Sequence, residues 1–125
     1  MLSKQNVMAT IAVRDLPKAR QFYEDILGFE PVSFEDSEVV VYGSGQSRLV
    51  VYVSSFAGSN KATSATWVAG NEIDEIARNL KEKGVAFEHY DMPGMAREGD
   101  VHVGGGMRVA WFKDPDGNIL AMANQ

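Results

Sequence analysis

Cysteine is absent from this chain of 125 residues, and its absence excludes several kinds of site at once. Without a thiol, the protein can form no disulfide bond, no thiolate metal centre and no cysteine nucleophile. Positive charge is also scarce, because 12 Lys and Arg stand against 17 Asp and Glu and leave a formal net charge of -5. Since nucleic-acid binding needs clustered cations that contact phosphates, we expect no nucleic-acid partner.

Long apolar runs are absent as well. A membrane-spanning helix needs roughly 20 apolar residues, and the first six residues are not followed by the apolar stretch of a signal peptide. The chain is nevertheless 45% hydrophobic, which is too apolar for intrinsic disorder. The sequence therefore predicts a cytoplasmic protein that has no membrane partner and folds as one domain.

Two segments have the apolar spacing of amphipathic helices. The first is predicted to begin at Asp15 as N-cap, with Pro17 in its first turn, and to end at Gly28. The second is predicted to begin at Asn71 as N-cap and to end at Gly84. Each helix has one apolar face, so we expect each to pack against a sheet.

The segments around these helices are typical of strands, and their order repeats. The predicted strands are 7–13, 38–42, 49–53, 65–69, 85–90, 107–113 and 118–123, with turns at 43–46 and 114–117. Similar elements precede and follow each helix, so the chain reads as a β-α-β-β-β unit written twice. We place module one at about 5–54, a linker at 55–63 and module two at about 64–125.

The segment 91–106 is predicted to be a long loop. Loops of this length are usually functional or mobile, and the methionines Met92 and Met95 suit adaptable apolar contacts. We therefore predict a lid over a cavity, with a loop packed on the sheet edge or on a partner as the alternative. The glycines at 104–106 resemble no phosphate loop and indicate a hinge or the entry to a strand.

Acid–base chemistry has few candidates in this sequence. Asp100 and His102 are two residues apart, so their side chains face the same way in an extended chain. Such a pair can orient an imidazole as a general base. The catalytic residues are thus unknown, with His102 and Asp100 as candidates, and a surface loop with incidental charges is the alternative.

Two motifs resemble those of a known family. Residues 11–29, IAVRDLPKARQFYEDILGF, and residues 111–118, WFKDPDGN, resemble the opening and closing motifs of the vicinal oxygen chelate superfamily. That superfamily includes glyoxalase I, extradiol dioxygenases and bleomycin resistance proteins. The resemblance implies an α+β fold with two tandem βαβββ modules that form an incomplete barrel around a cavity, with helices outside. It also implies a homodimer.

The resemblance also implies where a divalent metal would bind, since the family's ligands are His, Gln or Glu on equivalent strands. The matching positions are Met8, Ala65 and Ala121, and the strand at 49–53, which would carry the fourth ligand, has no such residue. Divalent cations need carboxylate oxygen or imidazole nitrogen. We therefore predict no metal and no cofactor, with a metal displaced onto residues such as His89 and Glu98 as the alternative.

If these positions face the cavity, the alternation of strand residues predicts its lining. The expected inward residues are Met8, Thr10, Ala12, Ala65, Trp67, Ala69, Ile119, Ala121 and Ala123. This lining is small and apolar, which favours a pocket for a flat molecule unless Trp67 fills the space. The candidate ligand-binding residues are Met8, Thr10, Tyr52, Trp67, Met95, His102 and Trp111.

The sequence thus predicts a metal-free small-molecule-binding protein of the glyoxalase and bleomycin resistance type. The ligand would be apolar or aromatic and would bind in a cavity or dimer groove, and the net charge of -5 favours a cationic ligand. The first alternative is a lyase, isomerase or dioxygenase-like enzyme that uses His102 with Asp100, or a displaced metal. The second is a protein-interaction role with a filled cavity.

Overall fold

Residues 1–125 form two compact units, Met1–Gly58 and Ser59–Gln125, in the computed structural model. The structure describes the backbone of every residue and all side chains except those of residues 34–36. Each unit contains one mixed sheet and one main helix, and neither of the two described sheets closes into a barrel. The predicted α+β fold class is confirmed, whereas the finer module boundaries at 5–54 and 64–125 stay a prediction.

The sheet of the first unit has four strands. They are β1 (Ala9–Val13), β2 (Glu30–Asp36), β3 (Val39–Ser44) and β4 (Ser47–Val53). Their order in the sheet is β1-β4-β3-β2, with β1 parallel to β4 and the other neighbours antiparallel. The predicted turn at 43–46 is confirmed, because residues 45 and 46 connect β3 to β4.

The helix of the first unit begins and ends where the sequence predicts. α1 (Leu16–Arg20) has Asp15 as its N-cap, whose carboxylate accepts a hydrogen bond from the Lys18 amide at 3.1 Å. The helix continues without a break as a π-helical turn (Gln21–Ile26). Gly28 then adopts a φ of 83°, a left-handed conformation that glycine accepts at low cost and that ends the helix.

One face of the first sheet forms the core of its unit. The buried residues on this face are Ile11, Val13, Val40, Tyr42, Leu49 and Val51. Tyr23 from the π-helical turn packs on the same face, with its ring stacked on Tyr42 at a centroid distance of 6.1 Å. Burial of each such side chain stabilises the fold by about 1.5–3 kcal/mol, so this apolar face holds the helix on the sheet.

The sheet of the second unit has six strands. They are β5 (Thr63–Val68), β6 (Phe87–Glu88), β7 (Ala96–Glu98), β8 (Val101–Gly104), β9 (Met107–Lys113) and β10 (Ile119–Ala123). The order is β5-β10-β9-β8-β7. β6 and β8 both pair with β9, along the same edge of that strand. β5 runs parallel to β10 as β1 does to β4, so the duplication inferred from the sequence is confirmed.

The helix of the second unit, α2 (Ile73–Glu82), begins later than the sequence predicts. The chain turns at Gly70, with a φ of 59°, into a 3₁₀ turn that contains Asn71. Glu72 takes the N-cap position without a side-chain hydrogen bond, so Asn71 is wrong as the cap. The predicted end of the helix is confirmed, because Gly84 adopts a φ of 93°.

The segment 91–106, predicted as a loop and a lid, contains a hairpin instead. β7 and β8 pair antiparallel, and β8 pairs with β9, so residues 96–104 belong to the sheet and the lid prediction is wrong for them. These strands have three and four residues, which is too short to show a clear alternation. Gly105 and Gly106, with φ of 58° and 81°, form the two-residue turn between β8 and β9.

The predicted turn at 114–117 is confirmed and is held by its own side chains. Asp114 Oδ1 accepts hydrogen bonds from the amides of Asp116 and Asn118, both at 2.9 Å. The side-chain amide of Asn118 donates to Asp114 Oδ2 at 2.8 Å. Asp114 and Asn118 are both buried. The hydrogen bonds of their side chains therefore stabilise the turn.

In the described part of the chain, no helix has the length and apolar character that crossing a membrane requires.

A partly buried hydrogen-bond network ties the helix of the first unit to its sheet. The Tyr42 hydroxyl donates to Glu24 Oε2 at 2.8 Å, and Arg20 Nε donates to the same oxygen at 2.6 Å. The hydrogen bond from Arg20 lowers the pKa of Glu24, burial opposes this shift, and the bond from Tyr42 adds to it. Burial and then the Glu24 carboxylate raise the pKa of Tyr42.

We expect Tyr42→Phe to lower the free energy of unfolding by about 1.5 kcal/mol at neutral pH, because a hydrogen bond to a charged group is lost. The folded-state pKa of Glu24 lies below its ordinary value, so its stabilisation is present above that ordinary value and is lost as the pH falls through the folded-state pKa. The difference between the two proteins should therefore shrink below about pH 4. Urea unfolding between pH 3 and pH 7 measures it.

The matched control is Tyr52→Phe in the same sheet, where the side chain is exposed. This change should alter the free energy of unfolding by less than about 0.5 kcal/mol at every pH. Equal losses in both variants, or a loss in Tyr42→Phe that does not change with pH, would contradict the role assigned to the network.

Candidate functional site

The pairing register separates the predicted lining residues of the second unit onto two faces of its sheet. Ala121 lies opposite Thr66, whereas Met122 lies opposite Trp67. The register shifts by one residue at the start of β10, so Ala65 and Trp67 share the face opposite to that of Ala121. The prediction that Ala65 and Trp67 line one surface together with Ala121 is therefore wrong.

Three of the candidate ligand-binding residues lie in the first unit, on or beside the sheet face that points away from its core. Met8 precedes β1 and is half exposed, and Thr10 follows two residues later. The Thr10 hydroxyl donates to the Met8 carbonyl at 3.5 Å. Tyr52 is paired with Ala12 in the parallel register, so it lies on the same face as Thr10.

An aromatic cluster in the second unit brings together Tyr90, His102 and Trp111. The His102 and Trp111 rings meet edge to face at a centroid distance of 4.9 Å, and Tyr90 meets Trp111 at 5.3 Å. Trp111 Nε1 donates to Thr63 Oγ1 at 3.2 Å, which fixes the indole on β5. The sequence prediction names His102 and Trp111 and misses Tyr90, whose signal is an aromatic residue at the end of a predicted strand.

Strand pairing explains why these rings meet. β6 sets Glu88 opposite Trp111, and β8 sets His102 opposite Val109, so both short strands lie on one edge of β9. Tyr90 lies two residues after the end of β6, and its backbone amide donates to His102 Nε2 at 3.0 Å. The hydrogen bond holds the imidazole beside Tyr90, and His102 is buried with an exposed fraction of 1%.

An open pocket of about 420 Å³ lies against this cluster, and we call it the His102 pocket. Its walls are formed by Tyr90, Asp91, Met92, Pro93, Met95, Ala96, Arg97 and His102. Aromatic, thioether and proline side chains dominate, and one acidic and one basic residue accompany them. Met95 and His102 are the sequence-predicted candidates that the structure brings together here.

The wall of the His102 pocket depends on a close backbone approach at Gly104. A Cβ atom at this position would overlap the Gly94 carbonyl oxygen and would lie 3.1 Å from Met95 Cγ. The Met95 amide donates to the Met92 carbonyl at 3.1 Å, which closes the turn that carries both methionines. Glycine is therefore required at 104 for β8 to pack against this turn.

The predicted pair of Asp100 and His102 does not form. Asp100 lies in the turn before β8, where its carboxylate is 2.8 Å from His89 Nε2 and 3.3 Å from Lys81 Nζ. The hydrogen bond from His89 lowers the pKa of Asp100, burial opposes this, and Lys81 adds to the lowering. In the described part of the chain, His102 Nε2 is bonded to the Tyr90 amide instead. The dyad prediction is wrong because Asp100 precedes the extended strand.

The residues at the family's metal positions do not fit a divalent metal. Met8 offers a thioether, Ala121 offers no ligand atom, and the register places Thr66 rather than Ala65 on the face of Ala121. On β4, Val50 and Tyr52 occupy the face that Thr10 shares. Among the described side chains, no group of three or more His, Asp or Glu residues is arranged to hold a metal ion. This donor set suits no hard or borderline cation.

Comparisons with known proteins agree with this fold. The family model described as Glyoxalase/Bleomycin resistance protein/Dioxygenase superfamily matches residues 6–122. A solved integron cassette protein from the mobile metagenome of the Halifax Harbour sewage outfall is similar, with 21% identity, a TM-score of 0.73, and 98% of this chain and 99% of that chain covered.

Two further solved structures are similar to the chain. Lactoylglutathione lyase from Agrobacterium tumefaciens has 19% identity and a TM-score of 0.71, with 96% of this chain and 92% of that chain covered. A bleomycin resistance determinant encoded on the transposon Tn5 has 20% identity and a TM-score of 0.70, with 98% of each chain covered. At these identities the likeness concerns the fold alone.

We expect Gly104→Ala to displace the turn at 92–95 and to lower the free energy of unfolding by about 1–3 kcal/mol, because the new methyl group overlaps backbone. Amide chemical shifts of residues 92–95 measure the displacement. Gly106→Ala is the control, since a Cβ there meets no atom within 4 Å and adds only the strain of its positive φ. Unchanged amide shifts at 92–95 in Gly104→Ala would contradict the close approach.

Proposed function

Because the chain belongs to the Glyoxalase/Bleomycin resistance protein/Dioxygenase superfamily, we propose that it is a metal-free protein that binds an apolar or aromatic small molecule in the His102 pocket. The observation that carries the proposal is the composition of the pocket wall, which includes Tyr90, Met92 and Met95. Aromatic rings and flexible thioethers make adaptable apolar contacts. A volume of about 420 Å³ is in the range of small-molecule sites.

Charge favours a cationic ligand. The chain has a formal net charge of -5, which attracts cations over the whole surface. Asp91 contributes a carboxylate to the wall of the pocket, while Arg97 contributes the opposing charge. We therefore propose an aromatic compound with a positive charge outside the ring system as the preferred ligand class.

The alternative is an enzyme of the same superfamily. The name of the similar lactoylglutathione lyase supports this alternative, and that of the similar bleomycin resistance determinant supports binding. We favour binding because Asp100 is paired with His89, so that among the described side chains no carboxylate is bonded to His102. The residues at the family's metal positions also supply no carboxylate or imidazole ligands for a metal ion that would act as a Lewis acid.

We also propose that two copies of the chain form a cytoplasmic homodimer. Several large apolar side chains are exposed on the described surface, among them Val32, Tyr52, Phe56 and Val68. Covering such side chains with a second copy of the chain would remove apolar area from water and favour association. Sedimentation velocity should give the mass of a dimer at micromolar concentration, and a monomer at all concentrations up to about 0.1 mM would contradict the proposal.

The binding proposal is tested by NMR titration of the protein with ¹⁵N-labelled tryptophan, which has two indole signals, from Trp67 and Trp111. The probes are naphthylmethylammonium, methylnaphthalene and naphthylacetate, which share the ring system and differ in charge. We expect the Trp111 signal to shift with a Kd of about 1 mM, a value ordinary for a ligand of this size. The cation should bind about threefold more tightly than the anion at low salt.

Trp67 is the internal control, because it lies on the opposite face of the sheet from Trp111. The Trp67→Phe variant assigns the two signals and should bind the probes unchanged. Added EDTA should also leave the affinities unchanged, since no metal takes part. A Trp111 signal that stays in place up to about 5 mM of every probe, or affinity that EDTA abolishes, contradicts the proposed function.

A further inference from the structure

We infer that His102 selects the ligand by donating a hydrogen bond from its Nδ1–H to an acceptor on the ligand's ring system. The inference rests on the proposed function, because it names the chemistry that the His102 pocket recognises. It specifies a planar compound with a ring nitrogen or a ring carbonyl, in preference to a hydrocarbon of the same shape.

A backbone contact sets the position of the proton on the His102 imidazole. The backbone amide of Tyr90 donates to His102 Nε2 at 3.0 Å. An amide can only donate, so Nε2 must carry the lone pair, and in the neutral ring the proton resides on Nδ1. The backbone of the segment after β6 therefore sets the tautomer, and it presents His102 as a donor through Nδ1.

This donor has no hydrogen-bond partner in the part of the chain that the structure describes. His102 has an exposed fraction of 1%, and Nδ1 is buried without a hydrogen-bond partner among the described residues. A buried donor without an acceptor is destabilising, so native proteins keep few of them unless the group has a role. In the wall of a pocket, such a group is satisfied when a ligand brings an acceptor.

Access of a ligand to the imidazole depends on the flexible side chains of the same pocket wall. The ring forms part of the wall of the His102 pocket, and Met92 and Met95 belong to the same wall. Methionine side chains are unbranched and repack at low cost, so a ligand can displace them and reach the ring edge. Trp111, which meets the imidazole edge to face, is held by Thr63 and keeps the imidazole in place.

Tyr90 is the competing donor in the same wall, through its hydroxyl group. The two side chains can be separated by substitution, because Tyr90→Phe removes the hydroxyl and keeps the ring. His102→Phe removes the donor and keeps a planar ring of similar size. The pair of variants thus distinguishes a hydrogen bond from His102 from one that Tyr90 donates.

The experiment compares quinoline with naphthalene, which have the same shape and differ by one ring nitrogen, at a pH where quinoline is uncharged. The protein carries ¹⁵N-labelled histidine and tryptophan. We expect quinoline to bind about tenfold more tightly than naphthalene, the ratio that one hydrogen bond of ordinary net strength provides. The ratio of the two affinities should stay near ten in Tyr90→Phe and should fall to about one in His102→Phe.

A direct readout in the unsubstituted protein covers the case in which His102→Phe fails to fold. The His102 Nδ1 resonance should shift when quinoline binds and should stay nearly in place with naphthalene. Equal affinities for the two probes, or an unmoved Nδ1 resonance, overturn the inference and leave the proposed function standing. A Trp111 signal that neither probe shifts defeats the proposed function and the inference together.

Discussion

One hydrogen bond, from the Tyr90 amide to His102 Nε2, joins the segment after β6 to the β7–β8 hairpin, and the His102 pocket depends on it. The bond fixes the tautomer of the imidazole and holds the ring against Trp111. Because Tyr90 also begins the stretch that forms the pocket wall, the same contact sets the position of that wall. A single backbone donor thereby links the sheet, the aromatic cluster and the pocket.

The two units share the order β-α-β-β-β and a parallel closing pair of strands, and they differ where the pocket lies. The second unit inserts the β7–β8 hairpin between β6 and β9, and the pocket residues belong to this hairpin and to the segment before it. Gly104 permits the close approach that packs the hairpin against that segment. The repeated framework thus carries the fold, and the insertion carries the candidate site.

Much of the fold could be predicted, because its signals are local. The cap at Asp15, the helix ends at Gly28 and Gly84 and the turn at 114–117 each depend on a few neighbouring residues. The hairpin at 96–104 could not be predicted, since its short strands exist only because β9 offers a free edge. The predicted face of Trp67 was wrong for a similar reason. One register shift in the pairing of β5 with β10 places Trp67 on the face opposite to that of Ala121.

By itself, the sequence determined the α+β class, the duplication, the absence of thiol chemistry and the unsuitability of Met8 and Ala121 as metal ligands. These conclusions follow from residue types and from local spacing, which are present in the chain before it folds. Only the tertiary structure decided the partners of Asp100 and His102, which are close in sequence yet bond to His89 and Tyr90. Partners that lie 11 and 12 residues away are chosen by strand pairing, and strand pairing is a property of the folded sheet.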